Sequence, residues 1–155
     1  MQIQGGMLHT LTAPTQSTLY TYMMRSHDSL RDLLVRLLAA MQANATDEVR
    51  QLWNELDHEL RSHMDAEERY MLPAFAHAAR DEALALLRQH GQLRELLFDL
   101  GIAVDLHYIR YERSHEFINL LLLHAGREEK LMYRWADERL APEIIRELRD
   151  RVAAE

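Results

Sequence analysis

The chain is predicted to be all-α: an up-down-up-down antiparallel four-helix bundle with a short C-terminal helix. Three observations point there. Apolar residues recur at steps of three and four with no competing strand-like alternation. Breaks in that pattern fall at regular intervals. The chain also repeats itself: Ser26 to Leu34 and Gln89 to Leu97 share H-x-x-L-R-x-L-L, while His63 to Met71 and His124 to Met132 share H-x-x-x-E-E-x-x-M. The second motif follows the first by 36 residues in one half and 34 in the other, which is the mark of one helical design used twice.

The elements follow in order. Residues Met1 to Gln16 contain Gly5, Gly6 and Pro14 and read as a flexible N-terminal segment, leaving 17–155 as a single bundle domain. The first helix is expected from about Ser17 to Gln42, with Met23, His27, Leu30, Leu34, Leu37 and Met41 on one face. Thr46 is the expected N-cap of the second, with Asp47 and Glu48 favourable at its positive end. Leu52, Leu56, Glu59 or Leu60, His63, Glu67 and Tyr70 continue its inner face until Pro73 stops it, and a connection runs to Arg80. The third carries Ala83, Leu86, His90, Leu93, Leu97 and Leu100 and loosens at Gly101. The fourth starts between Asp105 and Tyr111 and buries Phe117, Leu121, His124, Glu128, Leu131 and Trp135. Pro142, favoured in a first turn, opens the tail helix through Ile145 and Leu148.

Composition narrows the function. The 155 residues are 48% hydrophobic, enough for one core, and the net charge of −7 disfavours a nucleic-acid partner. No cysteine is present, so thiolate zinc sites, iron–sulfur clusters and thiol chemistry are excluded, and any metal must use nitrogen and oxygen donors. The start of the chain does not read as a secretory signal and no run is long enough to span a membrane. The expected location is therefore the cytoplasm.

The motif spacing brings six donors to one level. In an antiparallel helix pair, residues equally far from the connection stand at equal height, because both helices rise about 1.5 Å per residue. The midpoint of His27 and His63 is residue 45, that of His63 and His90 is near residue 76, and that of His90 and His124 is residue 107; all three fall in expected connections. Within each H-x-x-x-E the histidine and glutamate share a helix face. The expected metal ligands are His27, His63, Glu67, His90, His124 and Glu128.

Four imidazoles and two carboxylates buried together would lose several kcal/mol of hydration each without partners, and cations remove that cost. Imidazole nitrogen and carboxylate oxygen suit iron, manganese or zinc, and two bridging carboxylates suit a pair of ions. A redox-active pair of irons is the favoured reading, with a bridging oxygen species and open positions sized for dioxygen, peroxide or nitric oxide.

These residues resemble the hemerythrin-like family, the HHE cation-binding domain, over about Leu19 to Trp135. In the family a lone helix-one histidine precedes H-x-x-x-E-E-x-x-L-F-P, matched here by His27 and by His63, Glu67, Glu68, Met71, Leu72 and Pro73; a helix-three histidine and a second H-x-x-x-E are matched by His90, His124 and Glu128. The resemblance implies a non-haem diiron centre with an oxo or hydroxo bridge. Oxygen-carrying members have a second helix-three histidine four residues from the first, where this chain has Arg94. That shifts the expectation from oxygen transport toward sensing, peroxide or nitric oxide reduction, or an iron-responsive regulatory or iron-handling role. Those carriers also take a carboxylate five residues after the last histidine, which makes Glu129 the rival of Glu128; the internal repeat favours Glu128.

Other polar residues receive secondary roles. Tyr20 and Tyr70 lie one heptad from His27 and His63 and are pocket candidates. Glu59 is expected to pair with Arg31 rather than to act as a ligand. His9, His58, His77, His107 and His115 are expected to be solvated, and Met23, Met41, Met71 and Met132 to fill the core.

Overall fold

The computed structural model describes residues 19–153, all-helical with short connections and, among these residues, no strand. The N-terminal segment, His9 and the expected start at Ser17 lie outside the described residues. Helix α1 spans Leu19–Gln42, α2 Thr46–Tyr70, α3 Leu72–Ala78, α4 Arg80–Asp105 and α5 Tyr111–Arg127. A π-helical turn, Glu128–Met132, continues α5 into α6, Tyr133–Arg139, and α7 covers Pro142–Ala153. The long helices form a bundle in which α1 packs on α2, α2 on α4 and α4 on α5, while α6 returns to α1. No helix among the described residues is long and apolar enough to cross a membrane.

The connections reflect local chemistry. Asn44 and His107 adopt left-handed backbone, with φ of 54° and 53°, in the α1–α2 and α4–α5 connections; asparagine and histidine tolerate that conformation better than most residues. Thr46 is the first helical residue of α2 rather than its cap: Ala45 holds the capping position and no side chain bonds there. Pro73 ends α2 as expected but also seeds α3, since its missing N–H costs nothing in a first turn. The stretch from Pro73 to Arg80 is thus largely helical. Gly101 does not loosen α4, which runs on to Asp105. A methyl group at Gly101 would stand 3.3 Å from the Trp53 indole nitrogen, so glycine here lets the indole lie close.

The core is in two parts. One cluster, including Leu30, Leu56, Leu60, Leu93, Leu97 and Phe117, fills the end nearest the α1–α2 and α4–α5 connections. The other, including Met23, Met71, Phe75, Leu86, Met132 and Leu148, fills the opposite end. The helices of the two lone histidines change cluster there: Met23 and Leu30 flank His27, and Leu86 and Leu93 flank His90. A polar layer divides the hydrocarbon.

Leu56 is fully buried in the first cluster and is not a donor. Leu56→Ala should therefore lower unfolding free energy by about 2–5 kcal/mol with metal content unchanged, as read by denaturant titration and metal analysis. A loss under about 0.5 kcal/mol would contradict this packing.

Candidate metal centre

All six expected ligands converge in that layer, each 0–4% exposed. Their donor atoms form two groups that share both glutamates: His27, His63, Glu67 and Glu128 in one, and Glu67, His90, His124 and Glu128 in the other. Within the first, His27 Nε2 lies 3.2 Å from His63 Nε2 and 3.2 Å from Glu128 Oε2, and His63 Nε2 lies 3.2 Å from Glu67 Oε1. Within the second, His90 Nε2 is 3.3 Å from Glu67 Oε2 and 3.4 Å from Glu128 Oε1, and His124 Nε2 is 2.7 Å from Glu128 Oε1. Each carboxylate thus turns one oxygen to each group. Glu129, by contrast, stands outside the cluster.

The repeated motifs explain how four imidazoles are aimed alike. Each turns Nε2 inward and commits Nδ1 to a partner outside the cluster. His27 Nδ1 donates to Glu129 Oε1 at 2.8 Å, and Arg31 also binds that oxygen. His90 Nδ1 donates to Glu68 Oε1 at 2.8 Å, and Arg94 donates to the same oxygen at 2.7 Å. The second glutamate of each H-x-x-x-E-E therefore orients the lone histidine of the other half, with the arginine of H-x-x-L-R completing a triad. The residue before each lone histidine serves the remaining pair: Ser26 Oγ meets His63 Nδ1 at 2.9 Å, and Gln89 Oε1 accepts from His124 Nδ1 at 3.1 Å. Such partners fix the ring and raise the donor strength of the inner nitrogen. Arg94, which stands where oxygen carriers place a histidine, thus secures Glu68. Arg31 pairs with Asp28 and Glu129, not with Glu59, whose carboxylate accepts from Ser29.

Two corrections concern aromatic residues. Tyr20 and Tyr70 do not reach the cluster; both pack against the second hydrophobic cluster, with Arg134 over one ring and Arg69 over the other. The phenol that does reach it is Tyr133, fully buried, with Oη 2.8 Å from His27 Nε2, 3.1 Å from His63 Nε2, 2.5 Å from Glu67 Oε1 and 3.2 Å from Glu128 Oε2. An uninterrupted α-helix would have buried Leu131 and Trp135 instead. The π turn, closed by a bond from the Tyr133 N–H to the Glu128 carbonyl, adds one residue to that turn. Leu131 consequently points outward at 47% exposure, Trp135 is only partly buried, and Met132 and Tyr133 are fully buried. Nothing in the apolar periodicity signals the change of pitch. The described outlying histidines, His58, His77, His107 and His115, are all exposed.

Electrostatics show what the cluster requires. Burial pulls His63 and His90 toward neutrality, yet Glu67 and Glu128 outweigh it and raise both to about 10. Burial and mutual repulsion oppose ionisation of Glu67, but His63 and His90 hold it below the usual carboxylate range; burial likewise opposes Glu128, which His124, His27 and His63 hold well below. Burial and the two carboxylates push the Tyr133 phenol well up, so its O–H is a donor here. Protons thus stand where cations would. They do not serve every atom: Glu67 Oε2 and His124 Nε2 are buried without a hydrogen bond, since their short contacts to His90 and Glu128 lack hydrogen-bond geometry. Two unsatisfied donor atoms in a dry core, both in the His90 and His124 group, fit a cation site.

Beside the cluster lies a cavity of about 20 Å³ lined by His27, His63, His124, Leu30, Leu60 and Leu121, among others. One water needs about 10–15 Å³ of such space. The space is thus that of one or two water molecules.

A helical bundle whose interior carries two histidine–carboxylate groups sharing both carboxylates fits a metal-cation site. The family model described as "Hemerythrin HHE cation binding domain" matches residues 18–136, and the chain belongs to that family. Neither the curated proteins nor the solved structures gave a match.

Two outcomes follow. Glu68→Ala and Glu129→Ala should each weaken metal retention about 10–100-fold in a chelator competition while leaving helix content intact; unchanged retention would remove their orienting role. The pH dependence of stability should reverse with metal. In the metal-free protein, His63 and His90 are raised from 6.5 to about 10, so their contribution is complete below 6.5 and is lost as pH rises toward 10. Glu67 and Glu128, being lowered from 4.5, contribute above that value and lose the contribution on acidification. Cations must displace the imidazole protons, so the metal-loaded protein should gain melting temperature over the same alkaline interval in which the metal-free protein loses it. Parallel slopes with and without chelator would contradict this.

Proposed function

We propose that the protein holds two iron ions at its His4Glu2 centre and uses them to bind, sense or reduce a small oxidant: dioxygen, peroxide or nitric oxide. The observation that carries this reading is the pairing of two donor groups through both carboxylates beside a cavity of about 20 Å³. His27 and His63 would hold one ion with Oε1 of Glu67 and Oε2 of Glu128; His90 and His124 would hold the other with the remaining oxygens. Iron there would supply electrons and Lewis acidity to the bound molecule. The same donors accommodate manganese or zinc, and the choice of iron rests on the redox chemistry the small cavity suits.

The chain's own groups do the rest. Leu30, Leu60 and Leu121 line the cavity and keep bulk water from it. Glu68 and Glu129 hold the lone histidines in one tautomer, so the inner nitrogens remain available as donors. Within the same reading, the short α1–α2 and α4–α5 connections trace the up-down-up-down path of the bundle, and neither nucleic acid nor a membrane is a partner.

Protein loaded with iron in air should carry about two ions per chain and show near-ultraviolet absorption that bleaches on reduction. Glu67→Ala or Glu128→Ala should remove at least half of the iron, because each carboxylate serves both groups. A colourless wild-type protein that refuses iron would overturn the proposal.

A further inference from the structure

Tyr133 is unused by the His4Glu2 reading, yet its hydroxyl oxygen is as close to the cluster as any donor in it. Four atoms of the first group stand at ligand spacing: steps of 3.2 Å run from Glu128 Oε2 to His27 Nε2, on to His63 Nε2 and on to Glu67 Oε1, and His63 Nε2 is 4.0 Å from Glu128 Oε2. Bonds of about 2.1 Å from a common ion would separate neighbouring donors by about 3.0 Å and opposite donors by about 4.2 Å. Tyr133 Oη stands 2.5–3.2 Å from all four of these atoms, the separation expected between neighbouring donors to one ion. A hydroxyl that merely capped one carboxylate would have no reason to approach all four.

We propose that Tyr133 is a fifth protein ligand to the ion held by His27 and His63, bound through its phenolate oxygen. The inference rests on the dimetal reading above and adds an asymmetry to it. On binding, the phenol O–H gives its proton to solvent and the oxygen lone pair forms the bond to the ion; no electron is transferred. The His90 and His124 group gains no such ligand. Aligning the halves at H-x-x-x-E-E-x-x-M sets Leu72 opposite Tyr133, and a leucine has no donor atom. The ion at His27 and His63 therefore has five protein ligands and its neighbour four, which leaves more open positions for a small molecule on the His90 and His124 side. The π turn is what delivers the phenol, since it places Tyr133 five residues after Glu128 and on the same inward face.

The test uses the full chain loaded with ferrous salt and oxidised in air. Wild-type protein should show a visible tyrosinate-to-iron(III) charge-transfer band, and excitation into that band should enhance tyrosinate ring modes in the resonance Raman spectrum. Y133F, which keeps the buried ring, should bind about two irons and retain the near-ultraviolet absorption while losing the visible band and the ring modes completely. Y20F and Y70F should retain both. Wild-type protein with two irons, near-ultraviolet absorption and no tyrosinate signature would overturn the ligand role of Tyr133 while leaving the dimetal reading intact. A signature that survives in Y133F, or moves with Tyr20 or Tyr70, would likewise overturn it. Failure of the wild-type chain to take up iron would overturn both.

Discussion

Four imidazoles, two carboxylates and a phenol occupy a plane through the middle of this molecule where hydrocarbon would be the cheaper filling. Carboxylates at 0% exposure are tolerated only when opposite charge meets them within the core. Here protons on His63 and His90 supply that charge in the metal-free state, and two cations would supply it more completely. Much else in the fold serves the arrangement: the two separate hydrophobic clusters, the switch of α1 and α4 from one cluster to the other at their histidines, and the outer hydrogen bonds that keep every Nδ1 turned away.

The internal repeat acquires a structural meaning from those outer bonds. Each half contributes both histidines of one group, but both glutamates are shared, and the residues that steady the lone histidines cross over. Glu129 serves His27 and Glu68 serves His90. Neither half could assemble an oriented site alone. The arginines of H-x-x-L-R sit at the rim of this exchange, each binding the glutamate that its own half's histidine uses. They are half-exposed ion pairs of small individual value; their contribution is to position.

Much of this was legible in the sequence because helical periodicity and metal chemistry both act through fixed spacings. The midpoints at residues 45 and 107 located two connections, the third fell within the short helix α3, and the four-residue spacing of His63 with Glu67 and His124 with Glu128 placed both pairs on inner faces. The exchange of second glutamates was harder to see, since it depends on which helix neighbours which, not on spacing within one helix. Tyr133 was out of reach for a different reason. Apolar patterning assumes one pitch, and under that pitch Leu131 and Trp135 belong inside. The competing candidates, Tyr20 and Tyr70, had the right spacing along their helices but stand too far toward the second hydrophobic cluster. Pro73 shows the converse error: the rule that it ends a helix held, while the rule that it also begins one decided what came next.

The extra residue between Arg127 and Tyr133 works as a slip in phase. Before it, the helix faces inward with one set of positions; after it, with another, and the two sets cannot be joined by any continuous α-helix. A lineage that lost one residue here would keep every histidine and glutamate of the centre, and both H-x-x-x-E motifs would read as before. Its helix would nonetheless return to regular pitch and carry the aromatic hydroxyl away from the donor cluster. Two chains could thus share all six motif residues and still differ in the electronic character of the centre, with a single-residue gap as the sole trace in an alignment.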